Sequence, residues 1–386
     1  MRVWQNPGEA GHFHDRLDYL DGVRGLAALF VVAHHLWRSY NTAALGGFAG
    51  FCTNWLLYGH LSVDVFIVLS GFCLMLPVAR CRALRGGWQR FYAARARRIL
   101  PPLYAAVLFS IGVALYHRYF FSRQEILANV LLIQDFWQGK NNIDQPLWSV
   151  AVECKIYLLF PAFVFVWLRF GPAVLLLTAA AAGEIVEHTV CRIPCVTDIA
   201  LLCPWFVILF AMGMVAAEFA LRVEKDSSEW RMRGLFAAAL GGLGLALWTW
   251  PVTAGGEYVL YAPHFKWIDI LAGAVSALSL LMLGRQAVRK ERTFAIAVLS
   301  WKPLVFVGTM AYSLYLIHLL LIFPLKEMVI SWLPFHPAFV VIPVVMAITV
   351  GISHIFHLLI ERPFMSRRAP RTEREAAIAA AVYPAP

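Results

Sequence analysis

The chain has 386 residues, 60% of them hydrophobic and only 15% charged, with a mean hydropathy of +0.67. A soluble domain carries about 45–50% apolar and about 25% charged residues, so this chain has too little polar surface to cover one soluble core. Disordered, collagen-like and disulfide-scaffold classes are excluded as well, which leaves a polytopic membrane protein whose net charge of +10 is a question of placement.

Apolar stretches able to cross about 30 Å of hydrocarbon are expected at 20–37, 59–79, 100–120, 147–168, 171–186, 199–221, 234–250, 267–284, 304–323 and 335–360. The expectation is an all-α integral membrane protein, a bundle of about ten transmembrane helices. The fifth stretch is short and carries Glu184 and Glu187, and 126–137 is too short to span and reads as an interfacial or re-entrant segment. With the N-terminus inside, 25 of the 33 Lys and Arg fall on that side and seven on the other, with Lys155 inside a span. Both the N- and C-termini are therefore expected to be cytoplasmic. The basic excess is a topology signal, and no nucleic-acid partner is expected. Residues 1–365 read as one transmembrane domain and 366–386 as a short cytoplasmic tail. No cleavable signal peptide and no internal repeat is expected. Cys191 and Cys195 share an outer loop and could pair or bind metal, but a C-x₃-C alone is weak, so no metal set is expected. Cys73, Cys154 and Cys203 read as small apolar filler.

Ionisable groups within spans are costly and mark candidate sites. In the first span, Arg24 and His35 lie eleven positions apart, 20° beyond three full turns at about 100° per residue, so they share a face about 16 Å apart along the axis. His34 faces elsewhere. A ligand held lengthwise fits this spacing, and so does an arginine snorkelling at the membrane flank. Asp64 interrupts the next apolar run, before Ser70-Gly71. It either orients the His35 imidazole or forms a structural ion pair. Arg95 and Arg98 share a face, i,i+3, with Arg97 turned away, just before Pro101-Pro102. Such guanidinium groups suit phosphate oxygens or anionic lipid headgroups equally. Glu153 and Tyr157 are i,i+4 on the fourth span, with Lys155 on another side. Tyr312, Tyr315 and His318 form a loose polar stripe on the ninth, and Pro363 ends the last helix.

Six stretches in order, Arg24 with His35 (R-x₁₀-H), SVDVFIVLSGF, RARRILPPLY, LWSVAVECKIYLLFP, AYSLYLIH and IERPF, run from residue 17 to about 365. Together they resemble acyltransferase family 3, a group of integral-membrane O-acyltransferases. Ser62 stands where a glycine is usual, Ile67 where phenylalanine is common, and Ile156 breaks a usual Phe-Tyr pair. None of these departures touches an ionisable position.

The resemblance implies transfer of an acyl group, usually acetyl from acetyl-CoA, to a hydroxyl of an extracytoplasmic polysaccharide, peptidoglycan, glycolipid or secondary metabolite. It implies His35 as the catalytic histidine, Arg24 as its partner, and Arg95 and Arg98 as CoA-side arginines. Asp64, Ser70, Glu153, Tyr157, Tyr312 and His318 match family positions without a fixed role. Acyl-CoA is expected as the donor substrate, no cofactor is expected to be bound, and the expected location is the cell membrane, a bacterial inner membrane. The esterase-like domain fused to some members is not expected here. The oligomeric state stays open, a dimer included. A proton-coupled transporter also uses buried Asp, Glu and His, but such transporters often show repeats, and none is visible.

Overall fold

In hydrocarbon a lone segment satisfies its own backbone only as a helix, and every regular element among the described residues is helical. The computed structural model describes residues 18–40, 47–136, 143–189, 202–222, 229–252, 264–332 and 338–365. Helix α1 (Asp18–Tyr40) is followed by the short α2 (Gly47–Thr53), then α3 (Leu61–Cys81) and α4 (Gly87–Tyr116). After these come α5 (Arg123–Val130), α6 (Leu147–Phe170), α7 (Pro172–Thr189), α8 (Phe206–Leu221) and α9 (Glu229–Thr249). The last helices are α10 (Phe265–Val288), α11 (Phe294–Leu299), α12 (Lys302–Thr309), α13 (Ala311–Trp332) and α14 (Ala338–Phe356).

Among the described residues seven helices are long and apolar enough to cross a membrane: α3, α4, α6, α9, α10, α13, and α14 with its continuation to Phe364. Three expected spans are not in that set, each for a visible reason. Helix α1 is 23 residues long but carries Asp18, Asp21, Arg24 and Arg38. Helix α7 holds Glu184 and Glu187, which both accept hydrogen bonds from Lys266, the former at 2.5 Å and the latter at 2.9 Å. Helix α8 has 16 residues, about 24 Å of rise; it is apolar and buried along most of its length, a central packing element.

The ninth expected span, 304–323, is two helices. Helix α12 stops at Thr309, and α13 runs from Ala311. The first of the two lies close against α1. A Cβ on Gly308 would overlap the Asp21 carbonyl oxygen, and one on Gly22 would overlap the Leu299 carbonyl oxygen. The α11–α12 segment therefore meets α1 backbone to backbone, a closeness that small residues permit in membrane bundles. Helices α3 and α8 approach in the same way, with Gly71 against Phe210 and Gly213 against Val68. Gly59 abuts the His34 ring while Arg24 reaches Cys73, so α1 and α3 run antiparallel.

The interfacial segment is a short helix plus a turn. Ser122 and Glu125 form a reciprocal capping box at the start of α5, and a 3₁₀ turn comes next at Gln134–Phe136. Lys155 donates to both Asp135 oxygens at 2.7 and 2.9 Å, pinning that turn to α6. Burial raises the Asp135 carboxyl pKa while Lys155 opposes the rise. The Cys191–Cys195 loop and the 366–386 tail lie outside the described residues, as do the outer-loop positions 41–46 and 253–263.

Gly308→Val is expected to push α12 off α1 and lower the thermal midpoint of the detergent-solubilised protein. Gly351→Val, at a position with open space around it, serves as the near-neutral control. Equal midpoints for the two variants would refute the backbone contact.

Candidate active site

A cavity of about 240 Å³ opens among α1, α3, α4, α6 and α13. Its walls include Arg24, Ser70, Arg95, Arg98, Glu153, Tyr157 and Tyr312, seven of the ten candidates read from the sequence. His35, Asp64 and His318 do not line it.

The arginines gather at one end. Arg24 donates to Asp21 on the preceding turn and to the Cys73 sulfur at 3.0 Å, so an ion pair and a thiol fix its side chain. Arg95 and Arg98 are half-buried while Arg97 is exposed, as their helical spacing requires. Helix α4 begins at Gly87, well before the expected span, so these arginines and the span share one 30-residue helix. Pro101 and Pro102 lie inside it and remove the N–H groups that would bond the carbonyls four residues earlier, at Arg97 and Arg98. The helix is thus loosened beside the guanidinium groups. The Arg95 Nε is buried without a hydrogen-bond partner among the described residues, a donor left for an anion.

The middle of the cavity is a hydrogen-bonded chain. Tyr157 donates to Glu153 one turn before it, and its oxygen lies 2.5 Å from the Ser70 hydroxyl. This ties α3 to α6. Tyr312 donates to the Ile99 carbonyl at 3.0 Å, fastening α13 to α4.

Four further lining residues, Cys73, Ser149, Tyr315 and Glu361, complete the polar wall. Tyr315 and Ser149 hydroxyls are 2.6 Å apart and each lies 3.2 Å from the Pro146 carbonyl, so one of them donates to the other and the second donates to that carbonyl. Just before it, Asp144 is buried with one oxygen unpartnered among the described residues, and burial pushes its pKa well above the usual carboxylate range. Glu361 arrives through a π turn, His357–Glu361, a local widening common at functional sites. Its carboxylate is 1% exposed and accepts from Ser313 at 2.5 Å, with His357 Nδ1 at 2.8 Å. A 3.6-residue period read through IERPF does not anticipate a π turn; the motif's own glutamate is the signal that sequence offers.

The histidines form a second cluster, joined to the cavity through Tyr315, whose ring is 5.7 Å from that of His318. The His35 ring lies 5.1 Å from His318 and 4.9 Å from His34. His318 is fully buried, with Nδ1 2.8 Å from the Tyr315 carbonyl and Nε2 unpartnered among the described residues. Only an N–H satisfies that carbonyl, so Nδ1 carries the proton and Nε2 a free lone pair. His34 serves a different purpose: its Nδ1 donates to the Leu56 carbonyl at 2.7 Å, anchoring the turn before α3.

Asp64 stands apart from both clusters. Neither of its oxygens has a hydrogen-bond partner among the described residues, and its neighbours are Asp269 and His60. The expectation that it orients the His35 imidazole is corrected, because neither Asp64 oxygen accepts a hydrogen bond from any described residue and the groups gathered at it are His60 and Asp269.

An arginine-lined cavity beside a histidine cluster is the setting in which the relatives of this chain matter. A family model described as an acyltransferase domain matches residues 17–358, most of the chain. The chain belongs to acyltransferase family 3. It is similar to the O-acetyltransferase OatA of Staphylococcus aureus, 26% identical over 329 residues, covering 78% of this chain and 49% of that protein. It is also similar to the peptidoglycan O-acetyltransferase OatA of Listeria monocytogenes, 28% identical over 187 residues, which are 42% of this chain and 27% of the other. The putative peptidoglycan O-acetyltransferase YrhL of Bacillus subtilis is 23% identical over 92% of this chain and 56% of its own length. The chain thus spans about half the length of the curated relatives it matches. No solved structure matches. The acyltransferase family and the seven apolar helices together make this family member a multi-pass membrane protein.

Tyr157→Phe cuts the link between Ser70 and Glu153 and leaves a half-buried carboxylate short of a donor. A loss of about 1–3 kcal/mol is expected in a denaturation series, as for an unsatisfied buried polar group. An unchanged midpoint would mean the hydrogen-bonded chain is replaced by water.

Proposed function

We propose that the protein is a membrane O-acyltransferase that moves an acyl group, acetyl in the simplest case, from cytoplasmic acyl-CoA to a hydroxyl of a carbohydrate-type acceptor outside the membrane. The observation that carries this reading is the pairing of an arginine-lined cavity with a histidine pair further along the same helix, Arg24 and His35 both standing on α1. The peptidoglycan named in two relatives points to a glycan hydroxyl as acceptor. In this reading about ten helices or helix-length segments lie within the membrane, α1, α7 and α8 among them, with both termini cytoplasmic by the distribution of basic residues.

Acyl-CoA has a phosphate-rich head and a long, thin pantetheine arm. Arg95 and Arg98 hold phosphate oxygens, with Arg24 beside them; guanidinium groups meet such oxygens with two parallel hydrogen bonds. The arm follows the cavity past Ser70, Tyr157 and Tyr312. The roughly 16 Å of rise between Arg24 and His35 sets the length the arm covers to bring its thioester to the imidazoles. His35 takes the proton of the acceptor hydroxyl, either for direct attack on the thioester carbonyl or after carrying the acyl group on its own ring. In direct attack the tetrahedral intermediate collapses with cleavage of the C–S bond, and CoA leaves as the thiol with the proton that His35 took. On the acyl-histidine route the ring attacks the thioester, the C–S bond breaks and CoA leaves as the thiol with the ring's N–H proton. The acceptor hydroxyl then breaks the acyl C–N bond and gives its proton to the released imidazole. His318, with its bare Nε2, positions His35.

His35→Ala is expected to lower acyl transfer by at least about 10²-fold, the usual contribution of a placed general base, while acyl-CoA binding persists. Normal turnover in that variant would remove His35 from the mechanism. His34→Gln is expected to act mainly on folding yield.

Arg98→Ala is expected to weaken acyl-CoA binding by about tenfold or more, as for the loss of a charge-assisted hydrogen bond, measured by titration of the solubilised protein. Arg97→Ala, on the exposed face, is its control. Equal effects of the two would favour lipid headgroups as the partners of the cluster.

A further inference from the structure

At the other end of α3 from Cys73 and the arginines, three side chains distant in sequence converge: His60, immediately before α3, Asp64 in its first turn, and Asp269 near the start of α10. One ligand-capable atom from each lies within 4.8 Å of the other two. His60 Nε2 and an Asp269 oxygen are 3.2 Å apart, and Trp205 donates to that same oxygen at 2.8 Å. Asp64 and Asp269 are both 0% exposed. Three of their four carboxylate oxygens, both on Asp64 and Oδ1 on Asp269, have no hydrogen-bond partner among the described residues.

Two carboxylates packed together with three of their four oxygens lacking a donor are costly in an apolar interior. The first-turn amides of α3 do not satisfy Asp64, since neither of its oxygens accepts a hydrogen bond from any described residue. A single proton shared between the carboxylates would satisfy two of the three bare oxygens and leave the third. A divalent cation neutralises both carboxylates and accepts any of the three as ligands. The imidazole narrows the class. Calcium and magnesium favour all-oxygen shells and copper(I) favours sulfur, whereas one nitrogen with carboxylate oxygens suits zinc or manganese. Ligand bonds of about 2.0–2.2 Å put neighbouring ligand atoms roughly 3–3.5 Å apart. The His60–Asp269 separation already has that value, and closing the widest gap takes about 1.5 Å of movement by a short side chain.

The surroundings are those of a built site. The His60 ring stacks on Trp148 at 5.8 Å and 10°, and packs 5.0 Å from Phe265, which fixes its plane. The Trp205 indole holds Asp269, the kind of outer hydrogen bond that orients a metal-binding carboxylate. The His60 side chain is 18% exposed, which gives an ion a way in.

We propose that His60, Asp64 and Asp269 bind one divalent cation of the zinc–manganese class, which clamps the start of α3 to the start of α10. Trp148 precedes Ser149 of the cavity wall, so the clamp also steadies the end of α6 that the cavity uses. Sequence alone leads to no metal expectation here, because ligands 209 residues apart, as His60 and Asp269 are, carry no spacing signal.

The test is elemental analysis of the full chain purified in detergent without chelator. About one zinc or manganese per chain is expected, removable by EDTA with a fall in thermal midpoint that either ion reverses, because metal binding and folding are coupled. Asp64→Asn and His60→Gln should each weaken binding of added zinc at least tenfold, and Trp205→Phe by about tenfold. His60→Cys, which keeps a zinc ligand, should retain zinc. Where Asp64→Asn fails to fold, His60→Gln carries the comparison, since its ring is partly exposed. Metal-free protein that takes up neither ion and whose midpoint is indifferent to EDTA would overturn the proposal in favour of a shared-proton carboxyl pair. Full metal content in Asp64→Asn and His60→Gln would overturn it by placing the ion elsewhere.

Discussion

A charged side chain inside an apolar bundle needs a counter-charge or a full set of hydrogen bonds, because hydrocarbon supplies neither. That requirement orders the interior of this protein. Arg24 is held by Asp21 and Cys73, Lys155 by Asp135, Glu153 by Tyr157, and Glu361 by Ser313 and His357. Each partnership joins different elements or stiffens one turn, so the polar groups act as fasteners. Among the groups left partly unsatisfied by the described residues, the Arg95 Nε, the His318 Nε2 and the Asp64 and Asp269 oxygens are ones where a ligand has something to bind.

The fasteners hold because backbones meet closely beneath them. Gly22 and Gly308 let α1 lie against α11 and α12, and Gly71 and Gly213 let α3 lie against α8. Helix α1 is thereby fixed along its length. Since Arg24 and His35 belong to one helix, their separation is set by a rise of about 1.5 Å per residue rather than by loop geometry. An extended ligand with an anionic end matches such a ruler, whereas a compact solute would touch only one of its marks. This is the physical reason to favour group transfer from a long donor over transport of a small solute in the same bundle.

Helical period over short distances is the part of this arrangement that is legible in sequence. The shared face of Arg95 and Arg98 with Arg97 outside, the separation of His34 from His35 in role, and the i,i+4 contact of Glu153 with Tyr157 all depend on spacing within one helix. The rest depends on neighbours remote in the chain. Pairing Asp64 with His35 assumes that the nearest helix supplies the partner; its partner stands on α10, and nothing in the first three spans encodes that. The division between α12 and α13 escapes hydropathy because both halves are apolar. Helix α8 reads as a span because it is apolar, yet its 16 residues are buried by neighbours on most sides. The π turn at His357–Glu361 escapes because a five-residue turn leaves no periodic trace.

Helix α13 shows how these pieces act together. Tyr312, Tyr315 and His318 climb one side of it, and each meets a different partner: the Ile99 carbonyl on α4, Ser149 on α6 and the His35 ring on α1. The stripe that reads as loose in sequence is thus a row of contacts linking the arginine end of the cavity to the histidine pair. The Tyr315 carbonyl fixes the His318 tautomer, and the Tyr315 hydroxyl faces the cavity wall. A displacement of α13 by a ligand at the arginines would therefore shift the side chain that faces the imidazoles. With its proton on Nδ1, His318 offers His35 an acceptor and not a donor. In the proposed reaction, a His35 N–H turned toward that lone pair would leave the opposite ring nitrogen bare, the form a general base requires.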